Sequence, residues 1–364
     1  MRILIWDYPH YELGGRHVFV DSLIEGLGMR GHQVALASMK YHKESYCRLR
    51  HDSKQISRVE LANTDALFDR RIFDELRTVV SFLKDFKPDI IHSQSFSCPS
   101  NRILDLVQTK LDLSIPQVST THDIYDINKL IKSLAEPESM RSLKSIVVPS
   151  LFILDRIPKL EMYAKVVLIP HGITPISINN ERKESNIVFS GRLVAEKGLL
   201  DLVLAFSNIF HRLPNTQLHI FGDGPLRSYL AKLVVDLNIS QRAIFHGAKS
   251  NFEVRGHLTS NSVLVQPSLI PEAFGLSVLE AMSASAGIIV SDKANLPQLI
   301  RHGVDGLVYQ ARDTNTLAMN LLDLANSKLL REKLGKSAQN RAFEEFSFER
   351  MIDLYENLYL QCLS

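Results

Sequence analysis

Hydrophobic residues of this chain are concentrated in short continuous runs that alternate with longer amphipathic stretches. A run of about 4–8 apolar, often β-branched residues that ends in Gly, Pro, Ser or Asp predicts a buried strand. The first half of the sequence contains six such runs and the second half six more: RILIW, QVALAS, DIIHSQS, QVSTTHD, SIVVPS and VVLIPHG, then NIVFSG, QLHIFGD, AIFHGA, SVLVQPS, GIIVSD and GLVYQ. Because such strands alternate with helical segments, the pattern predicts an α/β fold of doubly wound parallel sheets in two similar halves.

A polar segment that contains a proline separates the two halves. This segment, TPISINNERKES at residues 174–185, lies between two predicted strands and predicts a linker. We therefore predict an N-terminal domain over residues 1–173 and a C-terminal domain over 186–342. Residues 343–364 predict a final helix that could return to pack on the first domain, because apolar residues recur in it near helical spacing: Phe343, Phe346, Met351, Leu354, Tyr355 and Leu358.

Composition and charge disfavour several classes of protein. The chain has 364 residues, enough for two domains, with 42 basic and 40 acidic residues. The net charge of +2 provides no broad positive field, so nucleic acid is not predicted as a partner. Three cysteines form no CxxC pair, which favours a reducing compartment without structural zinc, with the cytoplasm as the predicted location. No apolar run reaches the ~18–20 residues that span a bilayer, so any membrane contact is expected to be peripheral, on the inner membrane surface.

One stretch departs from this even balance of charge. Residues 40–58, KYHKESYCRLRHDSKQISR, carry six Lys or Arg against two acids. This stretch could bind an anionic membrane or an acidic acceptor. A solvated face is the alternative, and it is the more common fate of such a run of charges.

Three strand-to-helix turns are candidate ligand-binding sites. Ligands of parallel sheets bind at the carboxyl ends of strands, where helix N-termini offer backbone N–H groups. The first turn is DYPHYELGGRHVF, in which Gly14 and Gly15 would let a phosphate or a sugar approach the backbone. A tight turn made by the two glycines is the alternative. In the second turn, FSGRLVAEKG, Arg192 and Lys197 could bind a diphosphate beside a helix N-terminus, or they could be two solvated loop cations.

The third turn, PEAFGLSVLEAM at residues 271–282, places two glutamates in an otherwise apolar segment. SVLVQPS predicts a strand before it and LSVLEAMSA a helix, so the backbone N–H groups of Phe274, Gly275 and Leu276 would face the ligand. Glu280 shares a helical stripe with small residues, where its carboxylate could accept both hydroxyls of a ribose. An ordinary exposed glutamate on a surface helix is the alternative.

Taken in order, these turns resemble the retaining glycosyltransferases of family four. The resemblance rests on GG near the N-terminus, SGRLVAEKG, FGDGP, FHGA and PSLIPEAFGLSVLEAM, and it is most specific between residues 186 and 310. It implies the GT-B fold, in which two Rossmann-like domains face each other across a cleft. It also implies a UDP- or GDP-linked sugar as the donor substrate, with no cofactor; metal independence fits the lack of an Asp-x-Asp motif.

The resemblance also implies a role for each residue of the C-terminal turns. Arg192 and Lys197 match residues that hold the donor diphosphate, Glu280 the residue that binds the ribose hydroxyls, and Glu272 the residue beside the donor sugar. Phe274, Gly275 and Leu276 match backbone donors to the sugar and the phosphate. Such preorganised groups stabilise the charge that develops when the anomeric C–O bond breaks. We expect attack on the same face of the sugar, with a phosphate oxygen of the leaving group taking the acceptor's proton; Glu272 as a covalent nucleophile is the alternative.

The N-terminal domain would bind the acceptor, which could be a glycan, a lipid-linked molecule or a small molecule. Gly15 matches a glycine that approaches the β-phosphate, and His122 matches a histidine near an outer hydroxyl of the sugar. Arg16 and His17, directly after the glycines, could contact a particular acceptor. For His122 a structural role is the alternative, because a lone histidine at the end of a strand is more often structural.

The sequence departs from the family pattern after the third turn. Family members usually carry a Gly-Gly turn and a Pro-Glu pair, whereas SDKANLPQLIRHGVDGL has Lys293, Ala294 and Asn295 in the glycine region and Gln298 in place of the glutamate. These changes could alter the geometry of the site that binds the donor sugar. A protein of the same fold that binds a nucleotide sugar without turnover is therefore an alternative. An inverting transferase or an epimerase is a second rival. A Rossmann oxidoreductase is disfavoured, because no G-x-G-x-x-G follows the first strand.

Overall fold

The computed structural model describes residues 1–7, 15–39, 56–61, 71–94, 99–122, 142–157, 164–175 and 186–364. The chain forms two compact units. Unit 1 comprises Met1–His171 together with Phe348–Ser364, and unit 2 comprises Gly172–Ser347. No helix within the described ranges is long and apolar enough to cross a bilayer.

Unit 1 is built on a parallel sheet of seven strands in the order β3-β2-β1-β4-β5-β6-β7. The strands are β1 (Arg2–Asp7), β2 (Gln33–Met39), β3 (Ile56–Leu61), β4 (Ile90–Ser93), β5 (Gln117–Thr120), β6 (Leu143–Val148) and β7 (Lys165–Leu168). The described helices of this unit are α1 (Gly15–Met29), α2 (Arg71–Phe86), α3 (Pro99–Lys110), α4 (Leu151–Leu154) and α12 (Phe348–Leu363). Alternate residues of β1 enter different cores: Ile3 and Ile5 pack with α1 and α12, whereas Leu4 and Trp6 pack with α2 and α3. Both faces of the sheet are therefore covered.

Unit 2 repeats this plan with a parallel sheet of six strands in the order β10-β9-β8-β11-β12-β13. The strands are β8 (Asn186–Ser190), β9 (Leu218–Phe221), β10 (Ala243–Gly247), β11 (Ser262–Gln266), β12 (Gly287–Ser291) and β13 (Leu307–Tyr309). The helices are α5 (Leu199–Ile209), α6 (Arg227–Asp236), α7 (Asn251–Arg255), α8 (Leu276–Ser283), α9 (Leu296–Leu299), α10 (Thr314–Asn326) and α11 (Lys328–Glu345). In β11, Val263 and Val265 pack with α5 and α10, while Leu264 packs with α8. The predicted doubly wound α/β architecture is confirmed.

The described residues of the first half form seven strands, one more than the six that the sequence predicts. All twelve predicted runs form strands, but β3 (Ile56–Leu61) adds a seventh at the edge of the first sheet. Its sequence, ISRVEL, carries charged residues at alternate positions, so it lacks the continuous apolar run that identifies a strand buried on both faces. Of the basic stretch 40–58, residues 40–55 lie outside the described residues, and 56–58 begin this strand.

The predicted single helix over 343–364 is also wrong, because the chain forms two helices there. Helix α11 ends at Glu345 and α12 begins at Phe348. Phe343 and Phe346 belong to the core of unit 2 with α8, whereas Met351, Tyr355 and Leu358 belong to the core of unit 1 with α1. The apolar positions therefore serve two separate cores. The unit boundaries also differ from the prediction: unit 2 begins at Gly172, and of the proposed linker, residues 176–185 are outside the described part of the chain.

Candidate functional site

In unit 2, the turn after β8 is supported by the turn after β9. The N–H of Gly191 donates to Phe221 O at 3.0 Å, and the N–H of Leu193 donates to Asp223 O at 2.9 Å. Gly222 has a φ of +128°, and a Cβ there would lie 1.9 Å from Gly191 O. The FGDGP segment therefore has a structural role: its glycine permits the backbone contact that holds the turn carrying the exposed Arg192.

A second close approach brings Lys197 to the segment after β11. Gly198, with a φ of +67°, has no room for a side chain, because a Cβ would lie 1.9 Å from Pro267 O. The N–H of Leu269 also donates to Glu196 O at 2.7 Å. These two contacts fix the short 3₁₀ turn Ala195–Lys197 against the segment that leads to Glu272.

The side chain of Glu272 accepts three hydrogen bonds on one oxygen, Oε1. Lys197 Nζ lies 2.5 Å from this oxygen and Gln266 Nε2 lies 3.1 Å from it, and Ser268 Oγ donates to it as well. Within the described residues, Oε2 of Glu272 has no such donor. One carboxylate oxygen is thus fixed by the protein, and the other can accept hydrogen bonds from a ligand.

The surroundings of Glu272 favour its charged form. Burial by itself would raise the pKa of this carboxyl. The charge of Lys197 and the hydrogen bonds from Lys197, Ser268 and Gln266 outweigh burial, so the pKa lies below its ordinary value. Glu272 is therefore an ionised carboxylate at neutral pH.

Glu280, on α8, is buried with 6% of its surface exposed. The alternative of an exposed surface glutamate is therefore wrong. Its Oε1 accepts from Asn251 Nδ2 and from Arg255 Nε, each at 3.1 Å, and both donors lie on α7. Burial raises the pKa of Glu280 above its ordinary value, and the opposing effect of Arg255 is too small to reverse this.

Helix α8 begins close to Glu272 in the sequence, and two backbone N–H groups at its start lack an acceptor among the described residues. Its N-cap residue is Gly275, with a φ of +104° and no side chain that caps the helix. No described residue accepts a hydrogen bond from the N–H of Gly275 or Leu276. Such groups, at the positive end of a helix of eight residues, attract an anion. The structure thus brings Lys197, Glu272 and the start of α8 together.

In unit 1, His122 follows β5 and lies beside the first turns of α1. Its Nε2 is 3.0 Å from Oε1 of Gln94, the residue that follows β4. The imidazole stacks on that of His171 with a centroid distance of 5.9 Å and contacts the ring of Phe19 edge-on at 5.1 Å. Burial, with smaller effects of Arg16 and neighbouring histidines, holds the pKa of His122 well below its ordinary value, so its side chain is neutral at pH 7.

The other predicted residues of unit 1 lie around the N-terminus of α1, which begins at Gly15. The guanidinium of Arg16 forms an ion pair with Asp7, at the end of β1, and both side chains are largely buried. Arg16 is thus already engaged within the protein, while His17 is half-buried. Contact of either residue with an acceptor stays a prediction.

Several residues around the two glutamates were not identified from the sequence. Gln266 and Ser268 could have been found, since VQPS places polar residues at the carboxyl end of a buried strand. Asn251 and Arg255 gave no such signal, because SNFEVRG has the composition of an ordinary solvated helix. Among the residues that the structure describes, no group of three or more His, Cys, Asp and Glu side chains is arranged to hold a metal ion.

The solved structures that superpose on this chain are GT-B glycosyltransferases, which confirms the predicted fold class. The structure of a glycosyltransferase from Rickettsia africae superposes with a TM-score of 0.80 at 19% identity and covers 100% of this chain and 98% of its own. Anabaena HepE, in complex with UDP and glucose, superposes with a TM-score of 0.78 at 15% identity over 99% of this chain and 100% of its own.

Sequence comparison gives the family. The model of Glycosyltransferase Family 4 matches residues 13–175 and that of glycosyl transferases group 1 matches residues 175–341, so the chain belongs to this glycosyltransferase family. An uncharacterized glycosyltransferase of Methanocaldococcus jannaschii is 25% identical over 98% of this chain and 97% of its own length. N-acetyl-alpha-D-glucosaminyl L-malate synthase of Bacillus anthracis is 30% identical over 46% of this chain and 43% of its own.

Proposed function

We propose that this chain is a retaining glycosyltransferase that moves a sugar from a nucleoside diphosphate sugar to an acceptor hydroxyl without a metal ion. Unit 2 would bind the donor, which we take to be UDP- or GDP-linked. A UDP-linked donor is supported by the likeness to Anabaena HepE, whose structure contains UDP and glucose. The acceptor would be a glycan, a lipid-linked molecule or a small molecule.

The observation that carries this proposal is the ion pair between Lys197 and Glu272 beside the start of α8. In the proposed reaction, Lys197 and the N–H groups of Gly275 and Leu276 bind the diphosphate, with Arg192 as a further cation. As the bond from the anomeric carbon to the diphosphate oxygen breaks, negative charge grows on the leaving group. These fixed groups would stabilise that charge at no cost of rearrangement.

The same surroundings suggest what Glu272 does in the reaction. An ionised carboxylate whose Oε1 accepts three hydrogen bonds is poorly suited to donate a proton. It would instead accept hydroxyls of the donor sugar through Oε2 and stabilise the positive charge that develops on that sugar. The acceptor's proton would then pass to an oxygen of the departing diphosphate, as the acceptor oxygen attacks from the same face.

Three further roles complete the proposal. Glu280 would bind the ribose hydroxyls through its second oxygen, Oε2. In unit 1, Gly15 would let the β-phosphate approach the backbone, and the neutral His122 would hydrogen-bond an outer hydroxyl of the sugar. These roles are supported by the resemblance, and that of Glu280 also by the burial of its side chain.

The test begins with a thermal-shift panel of nucleotide sugars, including UDP-glucose and GDP-mannose, because a bound donor raises the melting temperature by mass action. The stabilising donor is then offered with candidate acceptors, and the anomeric configuration of the product is read by NMR. We expect retained configuration and unchanged activity in EDTA. An inverted product would contradict retention, and loss of activity in EDTA would contradict metal independence.

The rival without turnover is separated by the release of nucleotide. We expect wild-type protein to release UDP or GDP from its donor, slowly even without acceptor, and Glu272→Ala to release far less. Release by wild type that is no faster than uncatalysed hydrolysis and equal to that of Glu272→Ala, with the donor still bound, would favour a nucleotide-sugar-binding protein.

A further inference from the structure

Asn295 makes a buried hydrogen bond to Phe274, which lies just before α8. Asn295 stands in the region where the family pattern has two glycines. Its Nδ2 donates to the carbonyl oxygen of Phe274 at 2.7 Å. Both residues are 4% exposed. A hydrogen bond shielded from water in this way resists exchange with solvent, so it holds the carbonyl of Phe274 in one direction.

The direction of this carbonyl determines the direction of the next backbone N–H. The peptide unit between Phe274 and Gly275 is planar and trans, so its C=O and its N–H point to opposite sides. Because Asn295 binds the carbonyl on the interior side, the N–H of Gly275 is turned away from Asn295. This N–H is one of the two at the start of α8 that donate to no described residue.

Packing restricts the same peptide unit further. A Cβ on Gly275 would lie 3.2 Å from Leu296 Cδ2 and 3.6 Å from Leu299 Cδ2, so α9 leaves little space on that side. Asn295 is itself fixed, because its carbonyl accepts from the N–H of Leu299 at 2.9 Å. The preceding Ala294 has a φ of +52°, so the turn keeps a backbone conformation that glycine favours, although glycine is absent.

We propose that Asn295 is a positioning residue for donor recognition, whose amide holds the Phe274–Gly275 peptide so that the N–H of Gly275 is presented to the donor diphosphate. This inference rests on the proposed function for the identity of the ligand. It assigns to the altered turn a task that no glycine side chain can perform. Substitutions at Asn295 then weaken the binding of the nucleotide sugar, because the N–H of Gly275 no longer points towards its diphosphate. They remove no group that touches the nucleotide sugar.

A change in the environment of this peptide unit is detected by NMR. The sequence contains Phe followed by Gly at only two places, 221–222 and 274–275. Labelling with carbonyl-¹³C phenylalanine and ¹⁵N glycine therefore gives two correlations that connect a carbonyl to the following amide. The carbonyl of Phe221 accepts from the N–H of Gly191 and provides an internal reference. We expect Asn295→Ala to shift the Phe274–Gly275 correlation and to leave the Phe221–Gly222 correlation in place.

Binding of UDP, with UDP-glucose and GDP-mannose as further probes, is measured on the same variants by calorimetry. Asn295→Ala is expected to raise the dissociation constant about 10-fold, the scale of one hydrogen bond. Asn295→Asp keeps the size of the side chain but places a carboxylate against the carbonyl, so a larger loss is expected. Gln339→Ala is the matched control, because Gln339 Nε2 also donates to a backbone oxygen, Ser283 O at 2.9 Å, at the far end of α8. It should leave both the affinity and the two correlations unchanged.

The outcomes separate this inference from the proposed function. Wild-type affinity in both Asn295 variants, with a shifted Phe274–Gly275 correlation, overturns the inference alone. So does an equal loss of affinity in Gln339→Ala, which would show a merely structural effect. If Asn295→Ala fails to fold, Asn295→Asp decides by the same two measurements. Failure of the wild-type protein to bind any of the probes overturns the proposed function and this inference together.

Discussion

Glu272 and Glu280 lie eight residues apart, and each accepts hydrogen bonds on one oxygen from a cationic and an amide side chain, yet their pKa values shift in opposite directions. Burial raises the pKa of both. At Glu272 an ion pair of 2.5 Å and a third donor, Ser268, outweigh burial. At Glu280 the ion pair with Arg255 is longer, 3.1 Å, and burial prevails.

This difference shows that burial alone does not determine the charge of an acidic residue. The number of donors and the proximity of the cation decide the sign of the shift. In the proposed function, the more firmly ionised Glu272 faces the sugar, where positive charge develops. Glu280 faces the ribose, which remains neutral throughout the reaction.

The largest effect is expected for Glu272→Gln. The substitution removes the charge next to the reacting sugar and leaves Lys197 without its partner, so kcat should fall about 100-fold, the scale for one preorganised electrostatic group. Steady-state kinetics on the stabilising donor measure this. Glu345→Gln is the control, because Glu345 is a half-exposed carboxylate that also pairs with a cation, Arg341. A kcat within about threefold of wild type for Glu272→Gln would contradict the assigned role.

Gly198→Ala should separate Lys197 from Glu272 by displacing the segment between them. A Cβ at this position would lie 1.9 Å from Pro267 O, in addition to the strain of a φ of +67°. We expect the free energy of unfolding to fall by about 2–4 kcal/mol, with a large loss of kcat. Gly303→Ala is the matched control, since Gly303 has a φ of +74° but open space around it, and should cost only about 1 kcal/mol. Equal losses of stability in urea unfolding would refute the steric explanation.

Glu280→Gln should act on binding more than on the chemical step. If Glu280 binds the ribose equally in the ground state and the transition state, its loss should raise the KM for the donor about 10-fold with a smaller change in kcat. Kinetics at saturating acceptor would show this. A fall in kcat as large as that of Glu272→Gln would mean that the two glutamates do not have separate tasks.

The pH dependence of stability should have opposite signs at the two glutamates. The pKa of Glu272 is lowered in the fold, so its contribution is present above the unfolded pKa near 4.5 and is lost as pH falls through the lower folded value. The pKa of Glu280 is raised, so its contribution is fully present below 4.5 and is lost as pH rises through the higher folded value. Urea unfolding between pH 4 and 8 should therefore show Glu272→Gln losing stability relative to wild type as pH rises, and Glu280→Gln gaining it. Parallel trends would contradict the comparison.

The sequence predicted the parallel strands well because a strand buried on both faces must be continuously apolar, as SVLVQ is in β11. It failed at β3, an edge strand that does not meet this requirement. It also failed at residues 343–364, because periodicity indicates that Phe343 and Met351 pack against a core but does not indicate which core each of them joins. The candidate turns were found by a general rule, that ligands bind at the carboxyl ends of parallel strands.

The chain's own order of residues thus determined the two α/β units, the turns that carry Arg192, Lys197 and Glu272, and the exposure of backbone donors at the start of α8. Only the tertiary structure decided which side chains meet. Lys197 reaches Glu272 because the close approach of Gly198 to Pro267 and the hydrogen bond from Leu269 to Glu196 align segments about 75 residues apart in the sequence. The contacts of Arg255 with Glu280 and of Asn295 with Phe274 are likewise not predicted by any local sequence pattern. Local patterns arise from propensity and periodicity, whereas charge states and hydrogen-bond partners depend on contacts between distant segments.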